Sequence, residues 1–168
     1  MELRKATTND SPVIREIIQY AIAQRKKDGS QQWQDGYPNE QTIADDIYNG
    51  YGYVLTSGNK VYAYAAIIFD KEPAYEAIEG KWLTGGDYVV VHRVAVAGHA
   101  AGKGMATEVF NRIETLAVEK GVYSIKVDTN FDNAPMLRIL EKLHYTYCGE
   151  VFFRGAARKA FEKILKKA

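Results

Sequence analysis

Apolar residues recur along this chain with two periods, and the switches between them mark out its elements. Leu3 to Thr7 reads as a short first strand. Asn9, Asp10, Ser11 and Pro12 then form a helix start with Pro in the first turn. Ile14, Ile17, Ile18, Ala21 and Ile22 fall on one helical face, and this helix stops near Asp28 and Gly29. After the polar, aromatic loop Gln31 to Pro38, Asn39 caps a second helix whose apolar positions are Ile43, Ile47 and Tyr48. Tyr51 to Thr56 and Val61 to Phe69 flank Ser57, Gly58, Asn59 and Lys60, the signature of a β-hairpin. Residues 70–87 interrupt the pattern with Pro73, Gly80, Gly85 and Gly86 and carry Tyr75 and Trp82, as an excursion at the mouth of a site would.

The second half is more regular. Tyr88 to Ala97 reads as a strand. Met105, Val109, Ile113 and Leu116 define a helix ending at Gly121. Val122 to Thr129 is a strand, Asn133 to Leu143 a helix, and Tyr145 to Phe153 a strand again. This βαβαβ order behind a hairpin predicts an α/β fold: a mixed sheet, partly antiparallel and partly parallel, flanked by helices. In Ala156 to Lys167, Ala157, Phe161, Ile164 and Leu165 have helical spacing and the residues are good helix formers.

The junction at Gly98 to Gly104 carries the chemistry. An apolar strand runs into a small-residue loop, and the loop opens directly into a helix at Met105. Backbone N–H groups and the positive end of the helix dipole then face whatever lies in front, which favours a phosphate. The nucleoside-triphosphate loop needs four residues between its glycines and a hydroxyl after its lysine; here three residues separate Gly98 from Gly102, and Gly104 follows Lys103. The dinucleotide fingerprint needs a third small residue, where this chain has the β-branched Thr107.

Composition narrows the class. With 168 residues and 46% hydrophobic content the chain suits one globular domain spanning residues 1–168. Lys and Arg total 22 against 21 Asp and Glu, a formal net charge of +1, so no field argues for nucleic acid or a membrane surface. Cys148 is the single cysteine, and the three histidines lack metal-ligand spacing. The start at Met1, Glu2 and Leu3 has no secretory pattern, and the expectation is a cytoplasmic, metal-free protein.

Val94, Ala95 and Val96, followed by Ala101, Gly102, Lys103, Gly104, Met105 and Ala106, resemble the central motif of the GNAT superfamily of N-acetyltransferases. In that family the loop holds the pyrophosphate of acetyl-coenzyme A. Gly104 and Ala106 match its two small positions, and Ala101 stands where Arg or Gln is usual. Asn133, Pro135, Met136, Leu137, Leu143, His144 and Tyr145 resemble the later family segment that lines the pantetheine arm, with His144 and Tyr145 in place of Gly and Phe. Gln32, Trp33, Gly36, Tyr37 and Pro38, with His92, Arg93, Tyr147, Cys148 and Gly149, resemble a bacterial group within it. The resemblance implies a strand at Ala156 to Lys167, against the local helical spacing.

It also implies acetyl transfer from acetyl-coenzyme A to a primary amine by direct attack, with an N–H near Val94 on the thioester oxygen. His92 is the first candidate for the base, because an imidazole suits proton transfer near neutrality; the alternative is a buried histidine satisfied by its neighbours. Arg93 is expected to form a structural ion pair with an acid such as Asp128. The family's usual tyrosine acid position is Leu140; Tyr145 and Tyr147 lie nearby, on one face by alternation that equally suits the core, and the alternative to a tyrosine is water or no dedicated acid. Trp33, Tyr37, Tyr75 and Trp82 either wall an acceptor pocket, cap the core or form a homodimer contact. Cys148 reads as a buried structural thiol. The alternative function is a catalytically silent coenzyme A sensor or scaffold of the same fold, motivated by Leu140 and Ala101.

Overall fold

The computed structural model describes residues 1–167. The elements in chain order are β1 (Glu2–Lys5), α1 (Ser11–Lys27), α2 (Glu40–Tyr48), β2 (Gly52–Ser57), β3 (Lys60–Ile68), α3 (Pro73–Glu76), β4 (Glu79–Gly80), β5 (Val89–Val96), α4 (Met105–Glu119), β6 (Ser124–Thr129), α5 (Ala134–Lys142), β7 (Thr146–Phe153) and β8 (Ala156–Ile164). The eight strands form one mixed sheet in the order β1-β2-β3-β5-β6-β8-β7-β4. β1 with β2, β2 with β3, β4 with β7, β6 with β8 and β7 with β8 pair antiparallel, while β5 and β6 run parallel.

Two compact units share the chain. The first comprises Met1–Ile67 and Arg93–Arg112. Its core joins Ile14, Ile17 and Ile18 of α1 to Ile43 of α2 and to Val54 and Tyr64 of the hairpin, and each such aliphatic side chain contributes about 1.5–3 kcal/mol on burial. Asn39 caps α2 by accepting from the Thr42 amide at 3.0 Å. The β2–β3 turn places Gly58, with φ +59°, at its first central position, where a II′ turn needs a residue free to go left-handed. Tyr48 departs from the expected apolar face of α2: it lies in the last turn and is 91% exposed.

The second unit comprises Ile68–His92 and the chain from Ile113 onward. Its sheet is built on β6, which pairs with β5 from Val89↔Ile125 to Val91↔Val127 and with β8 from Ser124↔Ile164 to Thr129↔Lys159. The helical spacing at Ala156 to Lys167 is overridden. Arg154 and Gly155 have φ +50° and +77°, both left-handed as a two-residue I′ turn demands, so the chain reverses after Phe153 and Ala156 pairs back onto it. Residues 70–87 carry secondary structure of their own. They contain α3 and the edge strand β4, whose Gly80 meets Gly149 of β7 so closely that a Cβ on Gly80 would lie 2.2 Å from the Cys148 carbonyl.

Candidate active site

The small-residue loop lies in the first unit. Ala97 closes β5 by donating to the Tyr62 carbonyl at 2.9 Å, and a 3-10 turn over Gly98–Ala100 follows. A Cβ on Gly98 would sit 3.1 Å from the Tyr20 ring. Ala101, Gly102, Lys103 and Gly104 are all exposed, and Gly102 and Gly104 take φ +74° and +75° with open space where a side chain would project. Met105 and Ala106 then open the 15-residue α4. A helix of that length leaves its first-turn amides without intrahelical acceptors, and its dipole adds positive potential there. The arrangement suits an extended anion such as a diphosphate.

The strand feeding this loop is interrupted. The parallel ladder ends at Val91↔Val127, while β5 runs on through Val94, Ala95 and Val96. Arg93 has φ +54°, a left-handed conformation in the middle of a strand, which costs about 1–3 kcal/mol and persists only where the surroundings hold it. Two carboxylate contacts do so: Arg93 Nε donates to Asp46 Oδ2 at 3.0 Å and Nη2 to Oδ1 at 2.5 Å, while Nη1 donates to the Tyr37 hydroxyl at 2.7 Å. Burial opposes the guanidinium charge, and the bonds and attraction to Asp46, with Tyr37, outweigh it and raise the Arg93 pKa. The expected pairing of Arg93 with Asp128 is therefore corrected. Asp46, in the last turn of α2, already occupies the fork of the guanidinium.

Asp128 belongs to a cluster in the second unit. On β6 it accepts from the Tyr75 hydroxyl at 2.5 Å, faces His92 Nδ1 at 3.5 Å and lies 3.9 Å from Arg158 Nε. His92 Nε2 lies 3.8 Å from Glu72 Oε2, so the imidazole stands between two carboxylates. Tyr75 is fully buried and meets His92 edge-on at 5.9 Å, with Phe153 edge-on to the same imidazole at 5.6 Å. Burial, followed by Asp128, drives the Tyr75 pKa well up, so its hydroxyl acts as a donor. Two residues back along β6, and so on the same face, Lys126 lies over the Trp82 and Tyr88 rings at 4.5 and 4.0 Å. Its cross-strand neighbour Glu162 accepts from the amides of Leu83 and Thr84 and from the hydroxyls of Thr84 and Ser124.

A model of the Acetyltransferase (GNAT) family matches residues 16–145. The chain belongs to the GNAT acetyltransferase family. A GNAT family acetyltransferase of Streptococcus agalactiae is 39% identical, with a TM-score of 0.88 over 99% of this chain and 96% of that one. A Listeria monocytogenes acetyltransferase of the GNAT family superposes with a TM-score of 0.78 at 18% identity, covering 98% of this chain and 94% of that one. A Salmonella typhimurium protein solved with its cofactor acetyl-CoA gives 0.69 at 18% identity, covering 100% and 95%. These last two share the fold. No curated protein sequence matches the chain.

Within this GNAT chain the residues expected at the site separate. Val94 to Val96 and Ala101 to Ala106 lie on the strand, loop and helix start of the first unit. Asn133 caps α5 through its side chain, accepting from the Met136 amide at 3.3 Å. Tyr37 is held by Arg93, and Trp33, with φ +63°, sits in the same α1–α2 connection; Trp82 instead donates from Nε1 to the Tyr75 carbonyl at 2.8 Å. Tyr145 and Tyr147 share a face, as alternation implies: Tyr147 pairs with Phe161, two residues from Lys163 on β8, and meets its ring at 5.7 Å, although Tyr145 is buried while Tyr147 is 54% exposed. Tyr145 packs under Lys163, which pairs with Glu114 of α4, on the sheet face opposite Lys126 and Glu162. Burial pushes its pKa far up. Cys148 is buried, donates to the Thr146 carbonyl at 3.4 Å, and burial raises its pKa.

Glu72, Asp46, Lys126 and Glu162 went unrecognised in the sequence. Lys126 and Asp128 carried a usable signal: two charges at alternate positions of an otherwise apolar strand must be compensated on one face. Among the described residues no helix is long and apolar enough to cross a membrane, and no cluster of His, Cys, Asp and Glu has the arrangement of a metal site.

Proposed function

We propose that this chain transfers the acetyl group of acetyl-CoA to a primary amine, with His92 as the general base. The observation that supports this most is the imidazole held between Asp128 and Glu72, one residue before the strand leaves extended geometry at Arg93. The exposed loop fits the coenzyme: Gly102 and Gly104 keep its outer side bare, and the amides of Lys103, Gly104, Met105 and Ala106 are the donors to the diphosphate. When bound, acetyl-CoA supplies a thioester acyl group and a thiol leaving group. The main chain of Val94 to Val96, beyond the end of the ladder with β6, is the edge offered to the pantetheine arm.

An alkylammonium acceptor with pKa ~10.4 costs roughly 4–5 kcal/mol to deprotonate at pH 7. His92 lowers that cost by taking the proton at Nε2. Asp128 on the Nδ1 side offsets the imidazolium charge, and Glu72 provides the next acceptor towards solvent. Phe153 and Tyr75 pack edge-on around the ring and limit its rotation. Solvent protonates the thiolate, since burial makes the Tyr145 hydroxyl a weaker acid, slow to give up its proton.

The test is thiol release from acetyl-CoA with a panel of amines. Wild-type protein should release thiol in an amine-dependent manner, and His92→Ala should lower kcat/KM by about 10²–10⁴-fold, with the remaining rate following the acceptor's free-amine fraction. A variant with unchanged rate and pH profile removes His92 from the chemistry. Coenzyme binding without amine-dependent release from any acceptor would leave a silent binding module.

A further inference from the structure

Lys126 lies between Ile125 and Val127 in the middle of β6 and is 2% exposed. An ammonium in such a place costs several kcal/mol unless it is well compensated. Its compensation is partial. The rings of Trp82 and Tyr88 lie beneath Nζ, and the Thr84 carbonyl accepts from it at 3.5 Å, the outer limit of a hydrogen bond. Burial dominates and lowers the Lys126 pKa, against attraction from Glu162 and Glu76. An ammonium has three donors, and this one lines a cavity of about 190 Å³.

The cavity is asymmetric in charge. Lys126 and Tyr88 are buried at its floor, while Lys71, Glu76, Gly85 and Gly86 are exposed at its mouth. The Tyr88 hydroxyl donates to Glu76 Oε2 at 3.0 Å, and Lys126 sits over the face of the same ring. A cation on the ring face and an anion at the hydroxyl therefore meet the same phenol, both on the cavity wall. The paired glycines are not explained by the fold: neither has a left-handed φ, and a Cβ on either would meet no atom within 4 Å. Their missing side chains leave the mouth open. Tyr75 separates this space from His92, its ring meeting Trp82 at 5.3 Å on one side and His92 at 5.9 Å on the other.

We propose that this cavity is a binding site for a zwitterionic amino acid, distinct from the His92 cluster, which seats the ligand carboxylate on Lys126 and its ammonium at Glu76. Trp82 supplies the apolar wall for the ligand's side chain.

Calorimetry on the full chain, without coenzyme, tests this with L-alanine, L-leucine and L-phenylalanine and with the N-acetyl and C-amide derivatives of each. At least one free amino acid should bind saturably, and its derivatives, each lacking one charge, should bind at least about tenfold more weakly. Lys126→Met should abolish the heat. Gly86→Leu, an exposed substitution that leaves the floor intact, should block binding without changing the unfolding midpoint. No saturable heat with any free amino acid, equal binding of the derivatives, or unchanged binding in Gly86→Leu would each overturn the proposal. The readout involves no acetyl transfer, so it stands or falls apart from the role of His92.

Discussion

Replacing Asp46 by alanine should be among the most damaging single changes in the first unit. Asp46 is 4% exposed and accepts three bonds: two from Arg93, at 3.0 and 2.5 Å, and one from the Tyr64 hydroxyl at 2.5 Å. Burial, then Asp46, raises the Tyr64 pKa, so its hydroxyl remains a donor in need of an acceptor. Removing one side of a buried ion pair costs about 3–5 kcal/mol, and orphaning a buried hydroxyl about 1–3 kcal/mol. The two terms share one acceptor and Tyr37 still accepts from Arg93, so a total of about 4–6 kcal/mol is expected. Against a typical stability of about 5–15 kcal/mol this is a large fraction, and at about 2–4 °C per kcal/mol it lowers Tm by roughly 10–20 °C. Urea unfolding followed by circular dichroism measures it. Asp46→Leu combined with Arg93→Met, which leaves no uncompensated charge, should be less destabilised than Asp46→Ala alone. A loss in Asp46→Ala below about 1 kcal/mol, the scale of an exposed pair, would refute the reasoning.

Two further outcomes follow from the same structure. Asp10 accepts from both terminal nitrogens of Arg4 at 2.9 Å and from the Thr7 amide at 2.8 Å, and these, Arg4 first, hold its pKa below the usual carboxylate value. The stability it adds is therefore complete above the unfolded pKa and lost as pH falls through the lower folded one. Asp10→Asn should cost about 1 kcal/mol at pH 7, a value kept small by the exposure of Arg4, and the gap to wild type should close below about pH 4 in urea melts. Tyr145→Phe should leave kcat within about twofold, since loss of a working proton donor costs about 10²–10⁴-fold; a fall of that size in the thiol-release assay would restore Tyr145 as the acid.

Local rules made much of this GNAT fold legible. Asn39 caps the helix its position suggested, the helix read from Asn133 is present with Asn133 as its cap, and Gly58 turns the central hairpin. The strand, bare loop and helix from Val89 to Met105 are continuous in sequence, so one window shows them. Long-range pairings were not visible in that way. Asp46 and Arg93 are 47 residues apart, and nothing local in Asp46 distinguishes it from Asp45, which stays on the exposed side of α2. At the C-terminal segment helical spacing competed with β-pairing. The reversal at Arg154 and Gly155 and the ladders on both sides of β8 supply the energy that decides it. Tyr145 and Tyr147 keep the one face that alternation gives them, although His144, with φ +67°, closes α5 and delays the start of β7 by one residue. His92 was a candidate from its residue type and place on β5. Its partner Glu72 came from the segment between β3 and β5, where no periodicity points to it.

The most direct measurement is calorimetric titration of acetyl-CoA into wild-type protein and into Gly104→Val. Gly104 has φ +75° and open space in front, so a β-branched residue there strains the backbone and covers the amides assigned to the diphosphate. Saturable one-to-one binding by wild type, weakened at least about tenfold in a variant that still folds, is the predicted result. A correctly folded wild-type chain that gives no heat with acetyl-CoA would contradict the account.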